Sequence, residues 1–105
     1  MTDTQTPAAD ELARIRAAAA DQATAAREQA ARLNGVSNNC RWWFNRAEVC
    51  HLVATGVADV VTVDDTEHDI SVFHPDGAHK SAGTVRHGGH WIGWYTTSGD
   101  ILPIR

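Results

Sequence analysis

The segment TVRHGGHWIGWY, residues 84–95, predicts a β-hairpin that turns at the glycine pair Gly88–Gly89. A tight turn of this type needs a positive φ at both positions, and glycine adopts that conformation at little cost. A two-residue loop then sets the register of the two strands. The predicted cross-strand pairs are His87–His90, Arg86–Trp91, Val85–Ile92 and Thr84–Gly93.

Alternation along the two strands divides the hairpin between two faces. The residues predicted on the outer face are Arg86, Trp91 and Tyr95. The residues predicted to face the core are Val85, Ile92 and Trp94. Gly93 either leaves room for a neighbouring ring or marks a β-bulge.

Short β-branched segments and polar turns on both sides of the hairpin predict an antiparallel meander of about five strands. The predicted strands span 58–63, 69–74, 82–87, 90–96 and 100–104. Pro103 has no backbone N–H, so the last strand is predicted to lie at a sheet edge.

A long alanine-rich helix over 7–34 is predicted ahead of the sheet, after a disordered start at 1–6. Thr6 is the predicted N-cap and Gly35 the stop. The apolar stripe of this helix consists of Leu12, Ile15, Ala19, Ala23, Ala26, Ala30 and Leu33. Alanine buries little area but permits close approach. Two uses of the stripe are therefore open: packing on the chain's own sheet, or contact with a partner or a second copy.

Residues 36–105 are predicted to form a small α+β body with a short helix over 46–55. Asn45 and Glu48 resemble a capping box at the start of that helix. The aromatic run at 42–44 is interpreted as extended chain. The predicted fold class is α+β: a long N-terminal helix, a short second helix and an antiparallel β-meander.

Composition and charge narrow the function classes. The chain has 105 residues, enough for one domain, and a net charge of -4, which argues against a general nucleic-acid binder. No apolar run approaches the ~20 residues that span a bilayer, and the polar N-terminus has no signal-peptide pattern. We expect a cytoplasmic protein without a membrane segment, with its two cysteines reduced.

The sequence contains none of the GxSxG, Walker or GxGxxG motifs. Cys50 and His51 are adjacent, so on a helix they point ~100° apart and do not form a catalytic pair. The acidic run at 64–69 lacks the alternating ligands and glycine of a calcium loop and is interpreted as a solvated turn. We therefore expect no enzyme activity and no cofactor.

His87 and His90 are weak candidates for metal ligands. Directly opposed residues hold their Cβ atoms ~5 Å apart, close enough to share one ion. A Zn²⁺ site needs a third and a fourth ligand, and the remaining histidines and cysteines show no recognisable spacing. A small metal-binding protein is the second alternative function.

The segment RAEVCHLVATGV, residues 46–57, resembles the opening helix and turn of small helix-turn-helix proteins of the excisionase type. The resemblance implies a DNA-binding regulator, with the hairpin 84–95 as a wing. The sequence departs from the family pattern at VADVVTVDD, residues 57–65, where a recognition helix should stand. That segment contains no Arg, Lys, Asn or Gln.

The favoured interpretation is a small non-catalytic module for protein interaction or oligomerisation. Its partner is another protein or a second copy, while nucleic acid is disfavoured by the net charge. The residues predicted to bind the partner are Trp91, Tyr95, Arg86, Leu12, Ile15 and Leu33.

Overall fold

The computed structural model of the protein describes residues 4–5, 7–33, 38–63, 81–96 and 98–104. Within these residues, two helices precede an antiparallel meander of four strands, and a two-residue strand ahead of the helices joins the same sheet. The elements are β1 (Thr4–Gln5), α1 (Ala9–Leu33), α2 (Asn38–Ala54), β2 (Asp59–Val63), β3 (Ser81–His87), β4 (His90–Thr96) and β5 (Ile101–Pro103). The strands follow one another across the sheet in chain order. The α+β class is confirmed.

One sequence prediction about the strands lies outside the described residues, and another differs from this arrangement. The predicted strand at 69–74 lies outside the described residues, as do the acidic turn at 64–69, Thr6 and Gly35. At the N-terminus, Thr4 pairs with Val63 and Gln5 pairs with Thr62, where the sequence predicts disorder over 1–6. The local sequence around Thr4 and Gln5 does not indicate a strand, because this strand depends on pairing with residues far along the chain.

Helix α1 has the buried stripe that the sequence predicts. The buried positions are Ile15, Ala19, Ala23, Ala26 and Ala30, with Leu12 and Leu33 half-buried at its ends. The stripe packs mainly on α2 of the same chain. Small side chains allow close approach of the two helices, and the Cys40 thiol of α2 donates to the Ala30 carbonyl oxygen at 3.4 Å. The stripe therefore packs within the chain, but its main contact is α2, where the sequence predicts the sheet.

Helix α2 begins at Asn38, well before the predicted start of the 46–55 helix. The predicted capping box is wrong, because Asn45 lies inside the helix. The run at 42–44 is helical as well. Its buried face repeats at a spacing of three to four residues, and the members of that face are Trp42, Arg46, Val49, Cys50 and Val53. Because arginine occupies one of these buried positions, the pattern of apolar residues in the sequence does not indicate the helical period.

The element after α2 is the strand β2, Asp59–Val63. A helix-turn-helix protein would have its recognition helix at this point. The resemblance of 46–57 to excisionase-type proteins therefore ends with the first helix and its turn.

The main core lies between the two helices and one face of the sheet. Its members include Ile15 from α1, Val53 from α2, and Val60, Val85 and Ile101 from three strands. A smaller cluster joins the start of α2 to β4 and β5, and consists of Trp42, Leu102, Trp43 and Trp94.

The hairpin turn forms as predicted, but a β-bulge changes the register after the second cross-strand pair. Gly88 and Gly89 have φ values of 58° and 81°. The pairs His87–His90 and Arg86–Trp91 are confirmed. The predicted pairs Val85–Ile92 and Thr84–Gly93 are wrong. The observed pairs are Val85–Gly93, Thr84–Trp94 and Gly83–Tyr95, which leaves Ile92 as the extra residue of the bulge.

The bulge exchanges the faces of two aromatic residues. Tyr95 packs on the main core together with Ile92, whereas Trp94 contacts Trp91. The physical reason is Gly93, because a Cβ there would lie 2.5 Å from the Leu102 carbonyl oxygen. The close approach of β5 thus requires glycine at this position. The sequence allows a bulge at Gly93, and the structure has the bulge one residue earlier, at Ile92.

The outer edge of β5 is occupied by side chains from both helices. The Ile101 N–H donates to Gln22 Oε1 at 2.8 Å, and Arg46 Nε donates to the Ile101 carbonyl oxygen at 3.1 Å. Pro103 has no N–H to offer. β5 is an edge strand, as predicted, and its outward backbone groups at Ile101 are not open to a further strand.

In the described part of the chain, no helix has the length and apolar character that a membrane span requires.

Candidate functional site

A groove of about 570 Å³ lies between α2 and the end of the sheet that carries the hairpin turn. Its apolar lining consists of Val49, Leu52, Ile92, Pro103 and Ile104. Trp91 lines it from the hairpin, and its polar lining consists of Asn45, Glu48 and His87. Glu48, His87 and Trp91 are exposed, whereas Asn45 and the apolar lining residues are buried or half-buried. The groove therefore has an apolar interior and a more polar rim.

Trp91 is exposed over 44% of its surface and is nevertheless held in place. Its indole Nε1 donates to the Gly93 carbonyl oxygen at 2.7 Å. Its ring meets the Trp94 ring edge to face, with 4.7 Å between centroids. An exposed aromatic ring that is already ordered loses little conformational entropy when a partner covers it.

The three predicted binding residues of the hairpin do not share one surface. Arg86 is exposed opposite Trp91, and its Nε donates to Thr84 Oγ1 at 3.2 Å. Tyr95 lies on the other face, half-buried against the main core. Burial raises the pKa of the Tyr95 phenol, and the Glu11 carboxylate adds to the effect. The structure therefore brings Trp91 and Arg86 together and separates Tyr95 from them.

The predicted binding residues of α1 differ in how far they are buried within the chain. Ile15 is 5% exposed and belongs to the main core. Leu12 and Leu33 are half-buried at the two ends of the stripe. Ile15 is thus not part of a free surface, and the exposed aromatic rings of the described residues lie elsewhere, at Phe44 and Trp91.

His87 and His90 face each other across the hairpin turn, and both are exposed. His87 also lines the groove. Within the residues that the structure describes, no group of three or more His, Cys, Asp or Glu side chains is placed to hold a metal ion. The two imidazoles stand as a facing pair at the tip of the hairpin.

Cys50 is a core thiol. Burial raises its pKa to about 11, against a smaller opposing effect of Arg46. Its Sγ donates to the Ile101 carbonyl oxygen at 3.5 Å. A thiol with so high a pKa is a poor nucleophile at neutral pH, because the thiolate is the reactive form. His51 is exposed, in line with the prediction that the two residues do not form a catalytic pair.

Arg46 is a buried charge that the sequence reasoning missed. Its guanidinium lies 5.7 Å from the Trp42 ring centroid and 5.2 Å from that of Trp43. Its Nη2 is 3.6 Å from Asp100 Oδ1. The signal was present in the sequence as two tryptophans three and four residues before an arginine, but it is meaningful only if 42–46 is helical.

The groove unites parts of the chain that are distant in sequence. α2 contributes Glu48 and Leu52, the hairpin contributes Trp91, and the chain at the end of β5 contributes Ile104. Sequence reasoning found Trp91 but not the α2 residues, since nothing in the sequence places α2 beside the hairpin tip. The chain matches no protein-family model, no curated protein and no solved structure.

Proposed function

We propose that the protein is a non-catalytic protein-interaction module that docks a partner in the groove between α2 and the hairpin, with Trp91 as the anchor. The observation that carries the proposal is Trp91 itself, which is 44% exposed and fixed by a hydrogen bond to Gly93. Tryptophan is among the residues that contribute most to binding energy at protein interfaces.

The size and lining of the groove support the same role. Its volume of about 570 Å³ lies within the range of ~300–1,000 Å³ that is typical of ligand pockets. The interior residues Leu52, Ile92 and Ile104 are half-buried, so an apolar side chain from a partner would remove further apolar surface from water.

Recognition through side chains fits the groove better than addition of a strand at β5. An added strand needs free backbone N–H and C=O groups along a sheet edge. At the β5 edge, Gln22 and Arg46 occupy those groups of Ile101. We therefore place the partner in the groove, where it would insert side chains beside Trp91.

Cys40 and Cys50 are buried and form no disulfide. Reduced thiols suit a reducing compartment, and we propose the cytoplasm as the location.

The test is a selection of peptides from a random library on the immobilised protein, followed by calorimetric titration. We expect the selected peptides to lose about 30-fold in affinity on Trp91→Ala, the loss typical of an interface hot spot. Phe44→Ala is the matched control, because Phe44 is exposed over 53% of its surface and is not among the described residues of the groove. It should leave the affinity unchanged.

Selected peptides that bind the Trp91→Ala variant as tightly as the wild type would contradict the proposal. Sedimentation equilibrium covers the case of a second copy as partner. A wild-type dimer that Trp91→Ala dissociates would assign the groove to self-association.

A further inference from the structure

We infer that the groove selects an apolar segment that carries a lysine or arginine beside its apolar side chain. This inference rests on the proposed docking role and adds to it the chemistry of the partner. Two groups of the groove, the Glu48 carboxylate and the Trp91 ring, are suited to a cation and stand on two different walls.

Glu48 supplies a negative charge on the α2 wall. Among the described lining residues it is the one acid, and no lysine or arginine accompanies it. It is exposed in the free protein, while Val49 and Leu52 on the same helix provide apolar surface beside it. A partner that covers this wall removes water from around the carboxylate. That makes a cationic side chain favourable there and an acidic one costly.

Trp91 supplies the second acceptor on the hairpin wall. The face of an indole ring attracts lysine and arginine, and tryptophan is the strongest side chain for this contact. One edge of the ring system is committed, since Nε1 bonds to the Gly93 carbonyl oxygen. The exposed part of Trp91 offers ring surface to the aliphatic stem of a lysine, while exposed Arg86 on the paired strand leaves the selection for a cation mainly to Glu48.

The net charge of the whole chain also favours a cationic partner. The net charge of -4 attracts cationic segments over distances of about a Debye length and repels acidic ones. The groove interior, lined by Leu52, Ile92 and Pro103, selects for an apolar side chain. A segment with leucine, isoleucine or phenylalanine next to lysine or arginine satisfies both requirements.

The experiment uses three synthetic peptides of equal length, in which leucine alternates with lysine, with glutamate or with serine. Their affinities for the full chain are measured by fluorescence anisotropy at low salt and at pH 8, where histidine side chains are in general uncharged. We expect the leucine–lysine peptide to bind about ten-fold more tightly than the leucine–serine peptide, the effect expected of one charge-assisted hydrogen bond. The leucine–glutamate peptide should bind most weakly.

Variants separate the groove from the general charge of the protein. Glu48→Gln should reduce the preference for lysine over serine to about three-fold or less, which leaves the Trp91 contact and long-range attraction. Glu28→Gln, which removes an exposed acid of α1, should leave the preference unchanged. An equal loss in both variants would overturn the inference, because the preference would then reflect net charge alone.

The outcomes also separate this inference from the proposed function. Equal binding of all three peptides, abolished by Trp91→Ala, would overturn the charge selection and leave the docking role standing. Binding of none of the three, or binding insensitive to Trp91→Ala, would overturn the inference together with docking at this groove.

Discussion

The side-chain amide of Gln22 on α1 holds the first residue of the edge strand, Ile101. Its Oε1 accepts the Ile101 N–H at 2.8 Å, and its Nε2 donates to the Gly99 carbonyl oxygen at 2.9 Å. One polar residue of the alanine-rich helix thus satisfies two backbone groups of the β4–β5 connection. The sequence offers Gln22 as an ordinary helical residue, and its role depends on a strand at the other end of the chain.

Replacement of Gln22 by leucine should destabilise the fold. The variant leaves the Ile101 N–H and the Gly99 carbonyl without their partner, and an unsatisfied buried polar group costs about 1–3 kcal/mol. We expect the free energy of unfolding, measured in urea, to fall by an amount in that range. Gln29→Leu is the matched control, because Gln29 accepts one bond from Arg32 of the same helix at an exposed site. A fall of equal size in the control would contradict the assignment.

Arg46 and Asp100 form an ion pair whose two members should differ in their effect on stability. Arg46→Met removes the donor to the Ile101 carbonyl oxygen and the cation beside the Trp42 and Trp43 rings. We expect a loss of about 2–3 kcal/mol in the free energy of unfolding. Asp100→Asn should cost less than about 1 kcal/mol, because its side chain is 36% exposed and the ion pair is 3.6 Å long. Equal losses in urea unfolding would show that the ion pair, rather than the hydrogen bond and the rings, dominates.

A side chain added at Gly93 should destabilise the hairpin, whereas one added at Gly88 should have little effect on its stability. Gly93→Ala places a Cβ 2.5 Å from the Leu102 carbonyl oxygen and 3.0 Å from Val49 Cγ1, and such overpacking costs about 1–3 kcal/mol. Gly88→Asn should change stability by less than about 0.5 kcal/mol, since asparagine tolerates the left-handed conformation and nothing lies within 4 Å of the added atom. Thermal unfolding of both variants measures the contrast. A Gly93→Ala variant as stable as the wild type would argue against the close approach of β5.

The buried thiol of Cys50 should make the fold less stable in alkali. Its pKa rises from 9.0 to about 11 on folding, so the unfolded chain loses the proton first. The stabilising effect is complete below pH 9 and is lost as the pH rises toward 11, at up to about 1.4 kcal/mol per pH unit. Urea unfolding between pH 8 and pH 11 measures this slope.

Cys50→Ala isolates the thiol from other alkaline groups. The phenol of Tyr95, whose pKa is raised as well, contributes in the same direction at higher pH and is present in both proteins. The variant should therefore show a shallower fall between pH 9 and pH 11. Identical slopes in the variant and the wild type would rule out Cys50 as the cause.

Local chemistry accounts for the parts of the fold that the sequence predicts. The Gly88–Gly89 pair sets the turn and the first two cross-strand pairs, and the alanine period sets the buried face of α1. The register after Arg86 depends on contact between Gly93 and β5, which no local pattern contains. The start of α2 is not evident from the sequence because Arg46, a charged residue, occupies a buried helical position beside two tryptophan rings.

The same contrast applies to the candidate site, where one feature follows from local sequence and the others depend on tertiary packing. The exposure of Trp91 follows from the hairpin pattern, and the structure confirms it. The groove does not follow, because α2, the hairpin tip and the chain after β5 meet only through tertiary packing. Tyr95 shows the limit of strand alternation, since one extra residue between Trp91 and Gly93 is enough to turn its ring to the opposite face.

The bulge at Ile92 adds to β4 one residue that has no partner on β3. Deletion of Ile92 would leave Trp91 next to Gly93 and keep the pairs Arg86–Trp91 and Val85–Gly93. Trp94 and Tyr95 would therefore stay on their present faces, and the deletion would remove only the apolar contact of Ile92 with the main core and the groove. The extra residue thus supplies apolar surface at the groove without altering the pairing of the strand beyond it.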